Sequence, residues 1–271
     1  MSPCVLALAI ILLFSGVAHS QSAFSLKVDA GAIVSLRRVN DAFPTEYIQN
    51  NRRLGDVLLR YRGKDGAWQS VDTGKLATDG QIKIDSSNEG QKYKASYQVL
   101  YSPASSNTGP NTNQTPPLPI LTLAIEWTIN QRDVLWSITL TNVGPSPREI
   151  DDLAIPLPIA NSVPGVEGNR RVTILKHSLV AGYTSYMFWM RNNNIGPYLM
   201  LTPREDTKFE YWDAQRLPPV PNGQQAGQQQ ATGPGYRVYI HSSAAGAEAK
   251  AQGTKWRQPN TFLKLAPGES R

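Results

Sequence analysis

Strict alternation of apolar and polar residues constrains this chain more than any other feature. In QKYKASYQVLY, Gln91 to Tyr101, the residues Tyr93, Ala95, Tyr97, Val99 and Tyr101 are set against Lys92, Lys94, Ser96 and Gln98. Pro119 to Ile129 sets Leu121, Leu123, Ile125, Trp127 and Ile129 against Thr122, Ala124, Glu126 and Thr128. Val134, Trp136, Ile138 and Leu140 then oppose Ser137, Thr139 and Thr141. A strand turns successive side chains to opposite faces, so each run predicts a strand with one apolar and one polar face. The NQRD between the last two runs fits a tight hairpin connection. Such strands form an antiparallel sheet that is wet on one side only. Burying its apolar side chains is worth ~1.5–3 kcal/mol each, so the sheet needs a second layer.

That layer has candidates throughout the chain: FSLKV, AIVSLRR, DVLLRYR, QIKID, LAIPLPI, RVTILKH, SYMFWMR, PYLMLTP, KFEYWD, YRVYIHS and TFLKL. Strand signals punctuated by turn residues predict an all-β fold, a large antiparallel β-sandwich. Only SSAAGAEAKAQG, Ser242 to Gly253, reads as helix. Two polar tracts rich in Gly and Pro, residues 102–118 and 218–235, are expected as surface loops of the same domain. The first holds a glycosylation sequon at Asn113, followed by an unfavourable Pro116.

The N-terminus stands apart. VLALAIILLFSGVAHS is an apolar run ending in small residues, with Ala18 and Ser20 placed for cleavage before Gln21. It predicts a signal peptide over residues 1–20 and a secreted or extracellular protein, periplasmic in a Gram-negative cell. The run is about 13 residues against roughly 20 for a membrane span, so no stable membrane insertion is expected. Cys4, the sole cysteine, leaves with the signal, and the domain over residues 21–271 must be held by its core alone. The net charge of +6 is scattered, its densest clusters being Arg37-Arg38, Arg52-Arg53 and Arg170-Arg171. With no basic helix or stripe, no nucleic-acid partner is expected.

The densest aromatic stretch is TSYMFWMRNNN, Thr184 to Asn194. On a strand from Ser185 to Arg191, Tyr186, Phe188 and Met190 share one face, and Met187, Trp189 and Arg191 the other. Packing on both faces, as in a central strand, accounts for this composition. The functional alternative is a sugar platform in which Trp189 offers a ring face and Arg191 a donor fork, extended by Tyr211 and Trp212. These four residues are the carbohydrate-binding candidates. A further alternative packs the second face on a following domain.

Glycoside hydrolysis needs two carboxylates across a cleft, ~5–5.5 Å apart for retention or ~6.5–9.5 Å for inversion. The candidates are Asp151, Asp152, Asp206, Glu210 and Asp213. Asp151 and Asp152 fall on opposite faces of a strand, as do Glu210 and Asp213, so structural or solvated roles are expected and no catalytic residue is assigned. With neither a retained cysteine nor closely spaced histidines, no metal site is expected. The sequence has no G-x-S-x-G elbow and no G-x-x-x-x-G-K-[ST] loop, and no cofactor is expected.

The succession LWSITLTNVGPSPREIDDLAIPLP, KHSLVAGYTSYMFWMRNNNIGPYLMLTP, TKFEYWD and LKLAPGES resembles the N-terminal sandwich of a secreted family of bacterial and fungal proteins catalogued as a domain of unknown function. The resemblance runs from Phe24 to Arg271, and FWMRNNNIGPYLMLTP and KFEYWD are its most specific pieces. It implies kinship with six-hairpin glycosidases: a β-supersandwich of galactose-mutarotase type, followed by an (α/α)6 domain that holds the active site. The chain stops just after a Pro-Gly turn that should feed another strand, so the expectation is an N-terminal part of a longer protein, with the (α/α)6 domain missing. An apolar patch is then expected where the rest belongs, floored by Met187, Trp189 and Thr261 to Leu265. The mutarotase likeness also raises an aldose-epimerase alternative using His177 or His241 with Glu210, which spacing does not tie together. The leading expectation is a non-catalytic accessory sandwich of a secreted, glycoside hydrolase-like enzyme with an oligo- or polysaccharide partner. The alternative is a free-standing glycan-binding module.

Overall fold

The computed structural model describes residues 23–271 except 42–44, 49–51, 63–65, 67, 79–84, 90–91, 102–117, 131, 160–173, 181–184, 192–193, 197, 205–206, 217–233 and 254–259. The expected signal peptide, residues 1–20, therefore lies outside the described residues. So do the expected loops 102–118 and 218–235, except that Leu118 and Pro234-Gly235 begin strands. In chain order the elements are β1 (Phe24–Asp29), β2 (Ala32–Arg38), β3 (Leu58–Arg62), β4 (Trp68–Asp72), α1 (Thr73–Thr78), β5 (Asp85–Glu89), β6 (Lys92–Tyr101), β7 (Leu118–Ile129) and β8 (Val134–Asn142). There follow β9 (Arg148–Leu157), β10 (Ile174–Leu179), β11 (Tyr186–Arg191), β12 (Leu199–Leu201), β13 (Tyr211–Arg216), β14 (Pro234–Ser242), α2 (Ser243–Ala251) and β15 (Leu263–Leu265).

The alternating runs form the antiparallel sheet β5-β6-β7-β8, with Tyr97 opposite Leu123 and Ile125 opposite Ile138. Their apolar face is buried: Ala95, Tyr97, Val99, Leu121, Leu123, Ile125 and Trp127 are at most 4% exposed. The second layer is the sheet β13-β14-β9-β3-β4, with β15 continuing along β9 beyond β14. Leu59, Tyr61, Ile150, Leu153, Ile155, Leu157 and Val238 join the first sheet's apolar face in one hydrophobic cluster. The two sheets make an all-β sandwich. Strand β9 has neighbours on both edges and is buried along most of its length, so its sequence loses the alternation of a half-wet strand.

The β1–β2 hairpin is pinned at its turn. Ala30 and Gly31 have φ of 43° and 79°, and their carbonyls accept hydrogen bonds from the Tyr97 hydroxyl (2.9 Å) and from Trp127 Nε1 (3.0 Å). A Cβ on Gly31 would lie 2.2 Å from that of Ala95, so close approach as well as positive φ requires glycine there.

Helix α2 falls where the sequence placed it, with an unexpected cap. Ser242 makes no side-chain cap; Asp152 Oδ1 on β9 instead accepts from the Ala244 and Ala245 N–H groups at 2.9 and 3.1 Å. Strand β4 and helix α1 were not anticipated, although Asp72 is a legible N-cap whose Oδ1 accepts from Gly74 N at 3.0 Å. Of the expected strand QIKID only Asp85 is described, at the start of β5.

The Pro-Gly turn near the C-terminus does feed a pairing segment. Leu140 and Arg271 exchange both backbone hydrogen bonds, at 2.8 and 2.9 Å, and Ser270 bridges Thr141 on the edge of β8. The expected apolar floor is corrected for Met187 and Leu265, which are fully buried, and for Trp189, which is 1% exposed, because these side chains face the shared core; within Thr261 to Leu265, Phe262 is 48% exposed.

Candidate functional site

Strand β11 is central in the sheet β10-β11-β12 and alternates between half-buried and buried positions. Met187 and Trp189 point into the core cluster. Trp189 therefore presents no ring face, and the sugar-platform expectation for it is corrected by the strand's parity. Arg191 is also 1% exposed. Its Nε donates to Thr45 Oγ1 at 2.8 Å, its Nη1 to the Ile195 carbonyl at 2.8 Å, and its Nη2 pairs with the buried Asp41 carboxylate. Arg191 is a structural clamp and not a donor fork offered to a ligand.

The clamp explains Asn194 and Gly196. The Asn194 N–H returns to the Arg191 carbonyl at 3.0 Å, Asn194 has φ 56°, and Gly196 has φ 100°. A Cβ on Gly196 would sit 1.9 Å from Arg191 Nη1, and that nitrogen, pinned by its acceptors, cannot step aside. Gly196, ahead of β12, is thus held directly over a buried guanidinium.

What faces outward is the other parity. Tyr186, Phe188 and Met190 are half-buried on the outer side of β11, and Met200 lies opposite Phe188 in the register. Met200 and Tyr198 are each 58% exposed and Ile195 56%. The Tyr186 and Phe188 rings lie 6.1 Å apart and 28° from parallel; Tyr198 meets Phe188 edge-on at 5.9 Å. The Tyr198 hydroxyl donates to Asn194 Oδ1 at 2.8 Å. An aromatic shelf does exist, one residue out of step with Trp189 and Arg191.

Tyr211 and Trp212 belong to β13, in a different sheet, and as neighbours they take opposite faces. Trp212 lies edge-on to Tyr236 at 5.9 Å, and Tyr211 packs on Tyr239 at 5.6 Å. The structure does not join these two to Trp189 and Arg191 in one site. Beside Tyr211, Arg237 grips Asp213 with two bonds of 3.0 and 3.3 Å, and the Tyr239 hydroxyl donates to Asp213 Oδ2 at 3.1 Å. Burial raises the Tyr239 hydroxyl pKa well above its ordinary value, against the opposing pull of Arg237, so it serves as a neutral donor and not as a base.

The remaining described carboxylates are tied to the scaffold, although Asp151 Oδ2 is buried with no hydrogen-bond partner. Asp152 caps α2 and takes Arg60 Nε at 2.6 Å. Asp151, 1% exposed, lies 3.7 Å from Arg62 Nε, and burial pushes its carboxyl up despite that charge. Asp206 is outside the described residues. Glu210, 4% exposed, accepts from Ser242 Oγ at 2.8 Å, from Thr261 N at 3.0 Å and from the Thr261 hydroxyl. That hydroxyl has given its one proton to Glu210, so its 2.8 Å contact with His241 Nδ1 must be an N–H donation from the imidazole. Folding thus ties His241 to Glu210 through Thr261, a link that sequence spacing could not reveal. Burial lowers the His241 pKa, which keeps the ring neutral with its proton on Nδ1. His177 lies in β10, opposite Phe188, in another sheet. Among the described residues no cluster of three or more His, Cys, Asp or Glu could hold a metal ion, and no helix is long and apolar enough to cross a membrane.

Fold and surface together define an antiparallel β-sandwich whose ionisable groups are largely tied into the scaffold and whose outward chemistry on β11 and β12 is aromatic. The chain belongs to the family of unknown function DUF5695, whose model matches residues 17–271. It is similar in fold to a solved polysaccharide lyase, with a TM-score of 0.56 and 16% sequence identity over 92% of this chain. The match spans 31% of the lyase chain. No curated protein matches the sequence at a significant level.

Proposed function

We propose that this chain is the accessory, non-catalytic β-sandwich of a secreted carbohydrate-active enzyme, and that it holds an oligo- or polysaccharide. One observation carries the proposal: the described carboxylates that might do chemistry are engaged in caps, ion pairs and buried hydrogen bonds, while the outward side chains of β11 and β12 form an aromatic surface. Acid–base catalysis needs a group free to reach the substrate proton, whereas sugar binding needs exposed ring faces. The likeness to a polysaccharide lyase over 92% of this chain supports a carbohydrate setting. The resemblance to six-hairpin glycosidases supports a supersandwich of galactose-mutarotase type that serves an (α/α)6 catalytic domain, and residues 1–20 support export.

The test is to express residues 21–271 and challenge them with an oligosaccharide panel, scoring binding by calorimetry and turnover by product analysis. Binding without turnover is expected. Turnover by this chain would overturn the accessory role, and failure to bind any glycan would overturn the carbohydrate reading.

A further inference from the structure

Strand β9 departs from regular pairing at one of its two adjacent aspartates. Arg60 of β3 lies opposite Asp152 and Tyr61 opposite Ile150, so Asp151 is an extra residue, a β-bulge. A bulge suspends alternation. Arg60 and Arg62, two apart on β3 and therefore on one face, are the cations of Asp152 and Asp151 respectively. The two carboxyls expected on opposite faces of the strand thus meet arginines from the same face.

Their treatment is unequal. Asp152 takes Arg60 Nε at 2.6 Å and two N–H groups of α2. Asp151 is 1% exposed, its Oδ2 is buried without a hydrogen bond, and Arg62 Nε stays 3.7 Å away. Arg62 instead gives Nη1 to the Gly66 carbonyl at 3.1 Å and lies 4.9 Å from the centroid of the Trp68 ring on β4. Trp68 Nε1 is also buried and closes no hydrogen bond, although its N–H is near enough to lower the Asp151 pKa. A buried carboxylate would draw in a guanidinium within such easy reach. One that leaves it on an indole ring has the surroundings of a neutral acid.

We propose that Asp151 is a proton-operated latch on edge strand β4. With the proton on, Arg62 rests on Trp68 and β4 is closed against the sheet. With the proton off, Arg62 is drawn to the carboxylate, its stack on Trp68 is lost and β4 loosens. Among the described residues β4 pairs with β3 alone, so little else holds it. The charges around the carboxyl favour the proton. Glu149 and Asp152 on β9 repel a further negative charge, and Arg60 is shared between Asp152 and Glu248 of α2. Asp72 on β4 caps α1, and Lys264 on β15 lies opposite Glu149. Burial is the largest influence raising the Asp151 pKa, and Arg62 is the largest opposing it. Because the folded value lies above the ordinary 3.8, the latch is fully closed below 3.8 and is released as pH rises through the folded value.

The indole N–H resonance of Trp68, identified by its loss in Trp68→Phe, reports the latch in a pH titration. In the wild-type protein it should move with a midpoint above pH 3.8. In Asp151→Asn it should stay in place, and Arg62→Gln, which removes the opposing cation, should raise the midpoint. Stability supplies a second readout. Asp151→Asn should raise the urea midpoint at neutral pH, and this gain should shrink as pH falls toward 3.8, the reverse of what a fold-supporting carboxylate shows. A Trp68 resonance that is unmoved between 3.8 and neutral pH, or that moves equally in Asp151→Asn, overturns the latch. So does an Asp151→Asn protein that is less stable than the wild type at neutral pH.

Discussion

Replacing Arg191 by methionine keeps the bulk of the side chain and removes its charge from a site where the Arg191 and Asp41 side chains are 0% and 4% exposed. The Asp41 carboxylate then loses its guanidinium, and Thr45 Oγ1 and the Ile195 carbonyl lose their donors. Removing one member of a buried ion pair costs ~3–5 kcal/mol, chiefly because the remaining charge stays desolvated. For a domain of about this size each kcal/mol lowers the midpoint by roughly 2–4 °C, so the melting temperature should fall by about 6–20 °C. Urea unfolding followed by tryptophan fluorescence should show a lower midpoint at an unchanged slope. The double variant Arg191→Met, Asp41→Leu should recover much of the loss, since an apolar pair of similar volume no longer buries a charge. A loss below about 1 kcal/mol for the single variant, or no recovery in the double, would refute the clamp.

Asp152→Ala should cost roughly 2–4 kcal/mol in the same assay, through the lost α2 cap and the lost Arg60 bond, and Asp152→Asn should cost less because an amide oxygen still caps. At Glu46, burial opposes ionisation, but donors from the Leu36 and Ile48 N–H groups, Ser35 and Arg37 together hold the carboxyl below its ordinary range. Its contribution is present above the unfolded value of 4.5 and is lost as pH falls through the lower folded value, so Glu46→Gln should flatten the acid limb of the stability curve. Because the folded pKa of His241 is depressed below 6.5, its stabilisation should be complete above that pH and lost as pH falls through the range beneath it. Nitrogen chemical shifts at neutral pH should show the proton on Nδ1; an Nε2–H tautomer would contradict the Thr261 relay.

The sandwich was legible because β6, β7 and β8 each have one wet face, and period-2 alternation is the direct imprint of that half-exposure. Strand β4 was missed because WQSVD is mostly polar and too short to show a period. On β11 the parity of the two faces was legible but not which one faces out: both are apolar, and only the register against β10 and β12 and the packing of Met187 and Trp189 decide it. The exposed aromatics could have been flagged from Tyr198 and Met200, which alternate in step with one another on PYLML. The Glu210–Thr261–His241 chain was beyond reach, since its members are far apart in sequence and are joined only by the closing of β14 against the segment before β15.

Methyl resonances offer the most direct test of the claim that sugar binds the outer face of β11 and β12. Beyond Met1, the chain's methionines are Met187, Met190 and Met200, of which Met187 is fully buried and Met200 is 58% exposed opposite Phe188. In a titration of 13C-methyl-labelled protein with an oligosaccharide that it binds, the Met200 methyl should shift progressively to saturation while that of Met187 stays fixed. A saturating titration that leaves Met200 unmoved would contradict the account.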